Sequence, residues 1–219
     1  MGFEEQNEEL IKSLINQGIL KEQSIIQAFR MIKRHYFVPT DYLGSAYDDI
    51  PLPLTDETGG PTISQPLTVA TMLEALEPKQ GEKILDIGTG SGWQACLIAH
   101  SIGKNGKVIT IDIDKKMYDF AKKNICKTGL KNIIQVLGDG SQGYEQEAPF
   151  NKVIVSATAP SLPEPLKKQV KVGGRIVIPV GGILEQQVMV FDKISDKEFK
   201  QKSLGWFVFV PLQGRYGYK

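Results

Sequence analysis

The chain of 219 residues is predicted to fold as an open α/β sheet, mostly parallel and flanked by helices. Three observations predict it. From residue 67 onward, short β-branched runs alternate with helical patterns of 8–14 residues, the mark of parallel strands joined by right-handed crossovers. A glycine cluster, Gly88-Thr89-Gly90-Ser91-Gly92, directly follows the first of those strands and opens a helix. Asp112 and Asp139 then close the second and third strands.

Two amphipathic helices come first. Residues 4–17 place Leu10, Ile11, Leu14 and Ile15 on one face and stop at Gly18. Residues 21–34 repeat the pattern with Ile25, Ile26, Phe29 and Ile32. From Pro39 to Pro66 there are five prolines and the pair Gly59-Gly60, without a long helical period. That composition predicts a long irregular loop, and its apolar residues (Tyr42, Leu43, Tyr47, Ile50, Leu52, Leu54) predict an ordered one. A helix at 67–77 leads to strand 83–87, helix 91–102, strand 107–113, helix 115–128 and strand 133–138. Strand 152–157, helix 163–170 and strand 175–180 complete the alternation. Residues 186–194 and 204–212 are β-rich and joined by the charged stretch Ser195 to Lys202, as in an antiparallel hairpin at the sheet edge. The expected organisation is one domain over 1–219: helices and loop over 1–66, a ligand-binding core over 67–182, and hairpin and tail over 183–219.

Composition narrows the function. With 41% apolar residues the chain can build a core, which rules out wholesale disorder. Its 26 basic and 25 acidic residues leave a net charge of +1, which does not favour broad binding to a nucleic-acid backbone. Two His and two Cys exclude a His-rich metal centre and a disulfide scaffold, so no metal is expected. Cys96 and Cys126 read as small apolar core or boundary residues. The acidic N-terminus lacks the apolar core of a signal peptide, and no run of ~18 apolar residues exists to span a membrane. A reduced, cytoplasmic protein is expected, acting as a monomer.

In open α/β sheets a ligand sits beyond the carboxyl ends of the strands, facing a glycine turn and a helix N-terminus. A dinucleotide fingerprint would need glycine at position 93, where Trp93 stands, and no Gly-Lys-Ser/Thr follows for a phosphate loop. The G-x-G-x-G spacing resembles motif I of the Rossmann-like S-adenosylmethionine-dependent methyltransferases. On that resemblance Gly88, Thr89, Gly90 and Gly92 face the cofactor. Asp112, 20 residues beyond Gly92, can accept from both ribose hydroxyls, and Asp139 beside Gly140 can accept from an adenine amino group. Taken singly, each feature is also what a tight turn or a helix cap would show. Asp86 is unexpected inside an apolar strand. It either caps amides of the glycine turn or approaches the ligand's positive charge, and the second is favoured slightly.

Absences bear on the methyl acceptor. Ser156-Ala157-Thr158-Ala159-Pro160 stands where adenine and cytosine N-methyltransferases carry a Pro-Pro-aromatic motif. Neither cysteine follows a proline, as ring methylation of cytosine requires, and no set of acidic and amide metal ligands is evident.

The stretch Gly59-Gly60-Pro61-Thr62-Ile63-Ser64-Gln65-Pro66 resembles the signature loop of the protein-L-isoaspartate O-methyltransferases. Ile84 to Trp93, Gly138-Asp139-Gly140, Gln169 to Gly174, Ile178-Pro179-Val180-Gly181, Phe37-Val38-Pro39 and the tail Phe209-Val210-Pro211-Leu212-x-Gly214 are similar to that family too. Asp86 stands where many members have Glu, and Trp93 where Tyr is common. The resemblance implies methyl transfer from S-adenosylmethionine to the α-carboxyl of L-isoaspartyl residues in damaged proteins and peptides. S-adenosylhomocysteine would be the other product. The ester recloses to a succinimide and reopens partly to normal aspartate, so the activity is repair.

The chemistry suits the composition. A carboxylate is already ionised at neutral pH and can attack the sulfonium methyl without a general base, so neither His35 nor His100 is assigned to catalysis. Ser64 is the expected catalytic residue, its hydroxyl donating to the incoming carboxylate; an ordinary helix N-cap is the alternative. Thr62 and Ile63 are expected beside the cofactor. Gly60 would let a peptide backbone approach, and Val210 to Leu212 would form the opposite wall unless they are simply an edge strand. Two other functions remain: a related O-methyltransferase acting on another carboxylate or a small molecule, and a non-catalytic cofactor sensor.

Overall fold

A computed structural model of the chain describes residues 1–57, 59–182 and 184–218. The expected boundary before residue 183 falls on Ile183, outside the described residues. Helices α1 (Phe3–Asn16) and α2 (Gln23–Met31) pack through Leu10, Ile11 and Leu14 on the first and Ile25, Ile26 and Phe29 on the second. The expected run of the second helix to residue 34 is cut short at Met31. Ile32 leaves the helical region (ψ 86°), its carbonyl accepts from Trp93 Nε1 at 3.1 Å, and a short 3-10 turn over Arg34–Phe37 follows.

The described residues of the proline-rich segment are ordered. They include a 3-10 turn (Thr40–Ser45) and a two-residue antiparallel pair, β1 (Leu52–Pro53) with β2 (Thr62–Ile63). Helix α3 (Pro66–Leu76) follows at once, with Pro66 in the first helical turn, where its missing N–H costs no hydrogen bond.

Then come β3 (Lys83–Ile87), α4 (Trp93–Ser101), β4 (Lys107–Asp112), α5 (Lys115–Thr128), β5 (Ile133–Leu137), β6 (Phe150–Val155), α6 (Glu164–Gln169), β7 (Val170–Gly181), β8 (Gln186–Lys193) and β9 (Phe199–Phe207). The main sheet runs β5-β4-β3-β6-β7-β8-β9, parallel as far as β7 and antiparallel through β8 and β9. Strand order departs in opposite directions from β3, which makes the carboxyl end of β3 the switch point where such sheets hold ligands. Both faces are covered, as a parallel sheet requires. Ile84 packs into a core with the residues of α1 to α5, while its neighbours Leu85 and Ile87 pack into a second core with Leu166 of α6.

Strand β6 is shifted by two residues, to 150–155 from the expected 152–157, and two strands differ more. β7 begins at Val170, before Gly173-Gly174, because Gly174 lets the backbone pass close to the Asn151 carbonyl, which a Cβ would crowd at 2.5 Å. The hairpin forms, but its second strand is 199–207, not 204–212. The lysines at 200 and 202 lie exposed along the sheet edge, where charge is tolerated and protects against strand addition. Residues 208–212 instead leave the sheet. Thr158 N–H donates to the Val210 carbonyl at 2.9 Å and Leu212 N–H to the Thr158 carbonyl at 2.8 Å.

Candidate active site

The turn after β3 takes its shape from its glycines. Gly88, Gly90 and Gly92 have φ of 89°, 51° and 87°, a region that side chains disfavour, which accounts for glycine at every second position. The N–H groups of Gly88 and Thr89 both donate to the Ile111 carbonyl, and that of Gly92 to the Thr89 carbonyl. Gly90 donates to Asp112 Oδ2 at 2.9 Å, and Asp114 N–H donates to Oδ1 at 3.0 Å. Four of the turn's five backbone donors are therefore engaged within the fold, unlike those of a phosphate-cradling loop. The hydrogen bonds from Gly90 and Asp114 leave acceptor capacity on the Asp112 carboxylate, enough for a vicinal diol. Burial pushes the Asp112 carboxyl above its ordinary value, against the hydrogen bonds from Gly90 and Asp114.

Asp86 lies fully buried beneath the turn. It does not cap the turn's amides. It accepts from Gln94 Nε2 at 2.8 Å and from Thr110 Oγ1 at 2.7 Å. The Thr110 proton is thereby committed, so the 2.7 Å contact between Thr89 and Thr110 has the Thr89 hydroxyl as donor. Gln94 also donates to Ser156 Oγ at 2.7 Å. This buried chain, Thr89 to Thr110 to Asp86 to Gln94 to Ser156, ties the glycine turn to β4, α4 and the end of β6. Burial pushes the Asp86 carboxyl up to about 6, and the hydrogen bonds from Thr110 and Gln94 oppose it.

The β1–β2 pair lies across the same turn. A Cβ on Gly90 would sit 3.8 Å from Leu54 and 3.9 Å from the Thr62 carbonyl. Thr62 is exposed there, while the Ile63 side chain is 2% exposed and belongs to the core. At the tip, Glu57 pairs with Lys116 of α5 at 3.2 Å. Gly60 serves its own loop: a Cβ would meet Thr55 Oγ1 at 2.8 Å and the Glu57 carbonyl at 2.9 Å.

Ser64 follows β2 and is half-exposed. It is not the helix cap. Gln65 occupies that position without a side-chain cap, and Asp49 Oδ1 accepts from Leu67 N–H at 2.8 Å instead. Among the described residues the Ser64 hydroxyl makes no hydrogen bond, so it is free to donate outward. Its carbonyl accepts from Arg34 Nη2 at 3.1 Å. Sequence reasoning missed both Arg34 and Asp49. The only signal for Arg34 was its place just ahead of the noted Phe37-Val38-Pro39.

Asp139 departs from expectation. Its Oδ1 accepts from the N–H and hydroxyl of Ser141 at 2.9 and 2.6 Å, and its Oδ2 from Gln142 Nε2 and Arg215 N–H at 3.0 and 2.9 Å. Four hydrogen bonds fill a carboxylate, which leaves no acceptor for an amino group. Burial raises this carboxyl, but the bonds from Arg215, Ser141 and Gln142 outweigh burial and hold it below its ordinary value. Asp139 thus fastens the C-terminal tail to the end of β5. Gly140 packs on the end of β3, where a Cβ would lie 2.6 Å from Ile87. Of the expected opposite wall, Val210 is 36% exposed, whereas Leu212 is 5% exposed and packs into the second core.

The histidines lie elsewhere. His35 Nδ1 meets the Tyr47 hydroxyl at 2.6 Å and its ring stacks on Phe3, and His100 sits in the last turn of α4. Cys96 is buried and Cys126 exposed, both unpaired. Among the described residues no group of three or more His, Cys, Asp or Glu could hold a metal ion, and no helix is long and apolar enough to cross a membrane.

Comparison with known proteins agrees across the whole chain. Residues 5–217 match the family model for protein-L-isoaspartate(D-aspartate) O-methyltransferase. The protein-L-isoaspartate O-methyltransferase of Methanopyrus kandleri is 39% identical over 218 residues, covering 99% of this chain and 95% of that protein. Protein-L-isoaspartate O-methyltransferase 2 of Archaeoglobus fulgidus is 40% identical over 219 residues, with coverage of 100% and 98%. A solved protein-L-isoaspartate O-methyltransferase superposes with a TM-score of 0.88 at 29% identity, over 96% of this chain and 67% of that one. A Plasmodium falciparum structure described as a putative member in complex with S-adenosyl-L-homocysteine shares the fold, with a TM-score of 0.81 at 24% identity over 94% and 97%.

Proposed function

Because the chain belongs to the protein-L-isoaspartate(D-aspartate) O-methyltransferase family, we propose that the turn after β3 and the loop carrying Ser64 form its methyl-transfer site. The enzyme transfers a methyl group from S-adenosylmethionine to the α-carboxyl of L-isoaspartyl residues in damaged proteins and peptides, the step that starts their repair. S-adenosylmethionine supplies an electrophilic methyl on a sulfonium. The observation that carries the site assignment is the unpartnered Ser64 hydroxyl, on a loop packed directly over the glycine turn.

Each residue then has a limited task. Asp112 accepts from the ribose hydroxyls, and the buried chain through Asp86 keeps the turn in place to receive the cofactor. The backbones of Thr62 and Ile63 and the glycines at 88, 90 and 92, with Thr89, shape the cleft; Gly140 and Asp139 form its far end. Ser64 donates to one oxygen of the substrate carboxylate and so orients the other toward the methyl. Holding two reactants at near-attack distance contributes several kcal/mol of barrier reduction by itself, up to about 7–11 in ideal cases. Carboxylate and sulfonium become neutral ester and neutral thioether, so a cleft that excludes water favours the step. No proton leaves the nucleophile, in keeping with histidines that lie away from the turn. Val210 and the loop at Gly60 flank the substrate chain, while Leu212 supports the wall from within.

Unpaired Cys96 and Cys126 support a cytoplasmic setting. Ser64→Ala tests the assignment. Loss of a hydrogen bond to a charged group is expected to lower kcat about 10- to 100-fold, with the affinity for S-adenosylhomocysteine kept within about 2-fold. A comparable loss of cofactor affinity contradicts it.

A further inference from the structure

We propose that Arg34 is a positioning residue for methyl transfer, its guanidinium fixing Ser64 over the glycine turn. This rests on the role given to Ser64 above. Arg34 is 0% exposed and among the largest fully buried side chains of the protein. Its Nη1 donates to the carbonyls of Ala46 and Asp48 at 2.8 and 3.3 Å. Its Nη2 donates to those of Ile50 and Ser64 at 3.0 and 3.1 Å. One planar group therefore gathers three carbonyls from the start of the loop and the carbonyl of Ser64 from its end. The guanidinium carbon also lies 5.4 Å from the centre of the Trp93 ring, and Trp93 is the first residue of the helix that leaves the glycine turn. Ser64 and the residue that follows the turn thus both meet the same buried group.

Packing alone does not explain this choice. A charge held in the interior without a contacting carboxylate is costly, and an apolar side chain of similar volume would fill the space at less cost. Burial lowers the guanidinium to about 10, with Asp49 and Asp48 opposing from a distance. Only arginine offers a fixed fork of donors that can hold four acceptors in one plane; lysine keeps the charge but directs three donors from a single point. The interior charge is retained because it sets geometry.

Arg34→Lys tests the proposal in a cycle with Ser64→Ala, using an isoaspartyl peptide and normalising turnover to S-adenosylhomocysteine sites counted by calorimetry, so that any unfolded fraction drops out. Arg34→Lys alone is expected to lower kcat about 10-fold or more, leaving cofactor affinity within about 3-fold. In the Ser64→Ala background the same change is expected to cost less than about 2-fold, because the hydroxyl it positions is gone. Penalties that multiply, or an unchanged kcat in Arg34→Lys, overturn the proposal. If Ser64→Ala alone leaves kcat intact, the role of Ser64 falls first and this inference with it, an outcome distinct from multiplying penalties.

Discussion

The backbone N–H of Gly90 donates to the carboxylate of Asp112 at 2.9 Å, which makes the turn after β3 and the end of β4 a single unit. In the function proposed for this site, Asp112 has two tasks, one toward the ribose and one toward the turn. Asp112→Ala removes both and is expected to weaken S-adenosylhomocysteine binding about 10- to 100-fold, as for a lost hydrogen bond to a charged group. Asp112→Asn keeps one acceptor for Gly90 and should fall between. Isothermal calorimetry reads both variants, and unchanged affinity in the alanine variant refutes the ribose role.

Asp86 makes stability depend on pH in an unusual direction for a carboxylate. Burial raises it to about 6 from the ordinary 3.8. The folded protein therefore binds this proton more readily than the unfolded chain between about pH 4 and pH 6. The contribution is fully present below about pH 4 and is lost as pH rises through about 6, an effect of about 3 kcal/mol. In Asp86→Asn that slope should vanish, so the unfolding free energy of the variant relative to the parent rises by that amount between pH 4 and pH 7. Denaturant titrations at several pH values test it, and parallel pH profiles contradict it.

Gly214 sits at φ 114° with its Cα against the Asp139 carboxylate, leaving no room for a Cβ. Gly214→Ala should release the tail. Arg215 N–H would lose Asp139, and Tyr216 N–H would lose its 3.0 Å bond to Ser141 Oγ. Amide hydrogen exchange in the C-terminal peptide is expected to accelerate by 10-fold or more, roughly the loss of one or two hydrogen bonds. Unchanged exchange there would show that Asp139 does not hold the tail.

Local signals made the centre of this fold legible. β3 and α5 start and stop where the pattern puts them, because a glycine follows each and the apolar residues of β3, Ile84, Leu85 and Ile87, each pack into one of the two cores. The edge was less legible. β9 contains lysines that pattern reading assigns to a loop, and only its pairing with β8 makes them strand. The same division runs through the site. The glycine turn and Asp112 lie within 24 residues of one another and carry their own spacing. Arg34 could not be recognised, since an arginine in a helical period reads as solvent-facing until the carbonyls of residues 46 to 64 fold around it. Asp139 was visible as a strand-end acid, but its partner Arg215 is 76 positions away and no local pattern links them.

Selective methylation is the central claim. An isoaspartyl peptide and its normal aspartyl twin, identical otherwise, are to be incubated with S-adenosylmethionine and the protein, and methyl ester counted in each. Ester on the isoaspartyl peptide alone is the expected result. Equal methylation of the two, or none of either, contradicts the account.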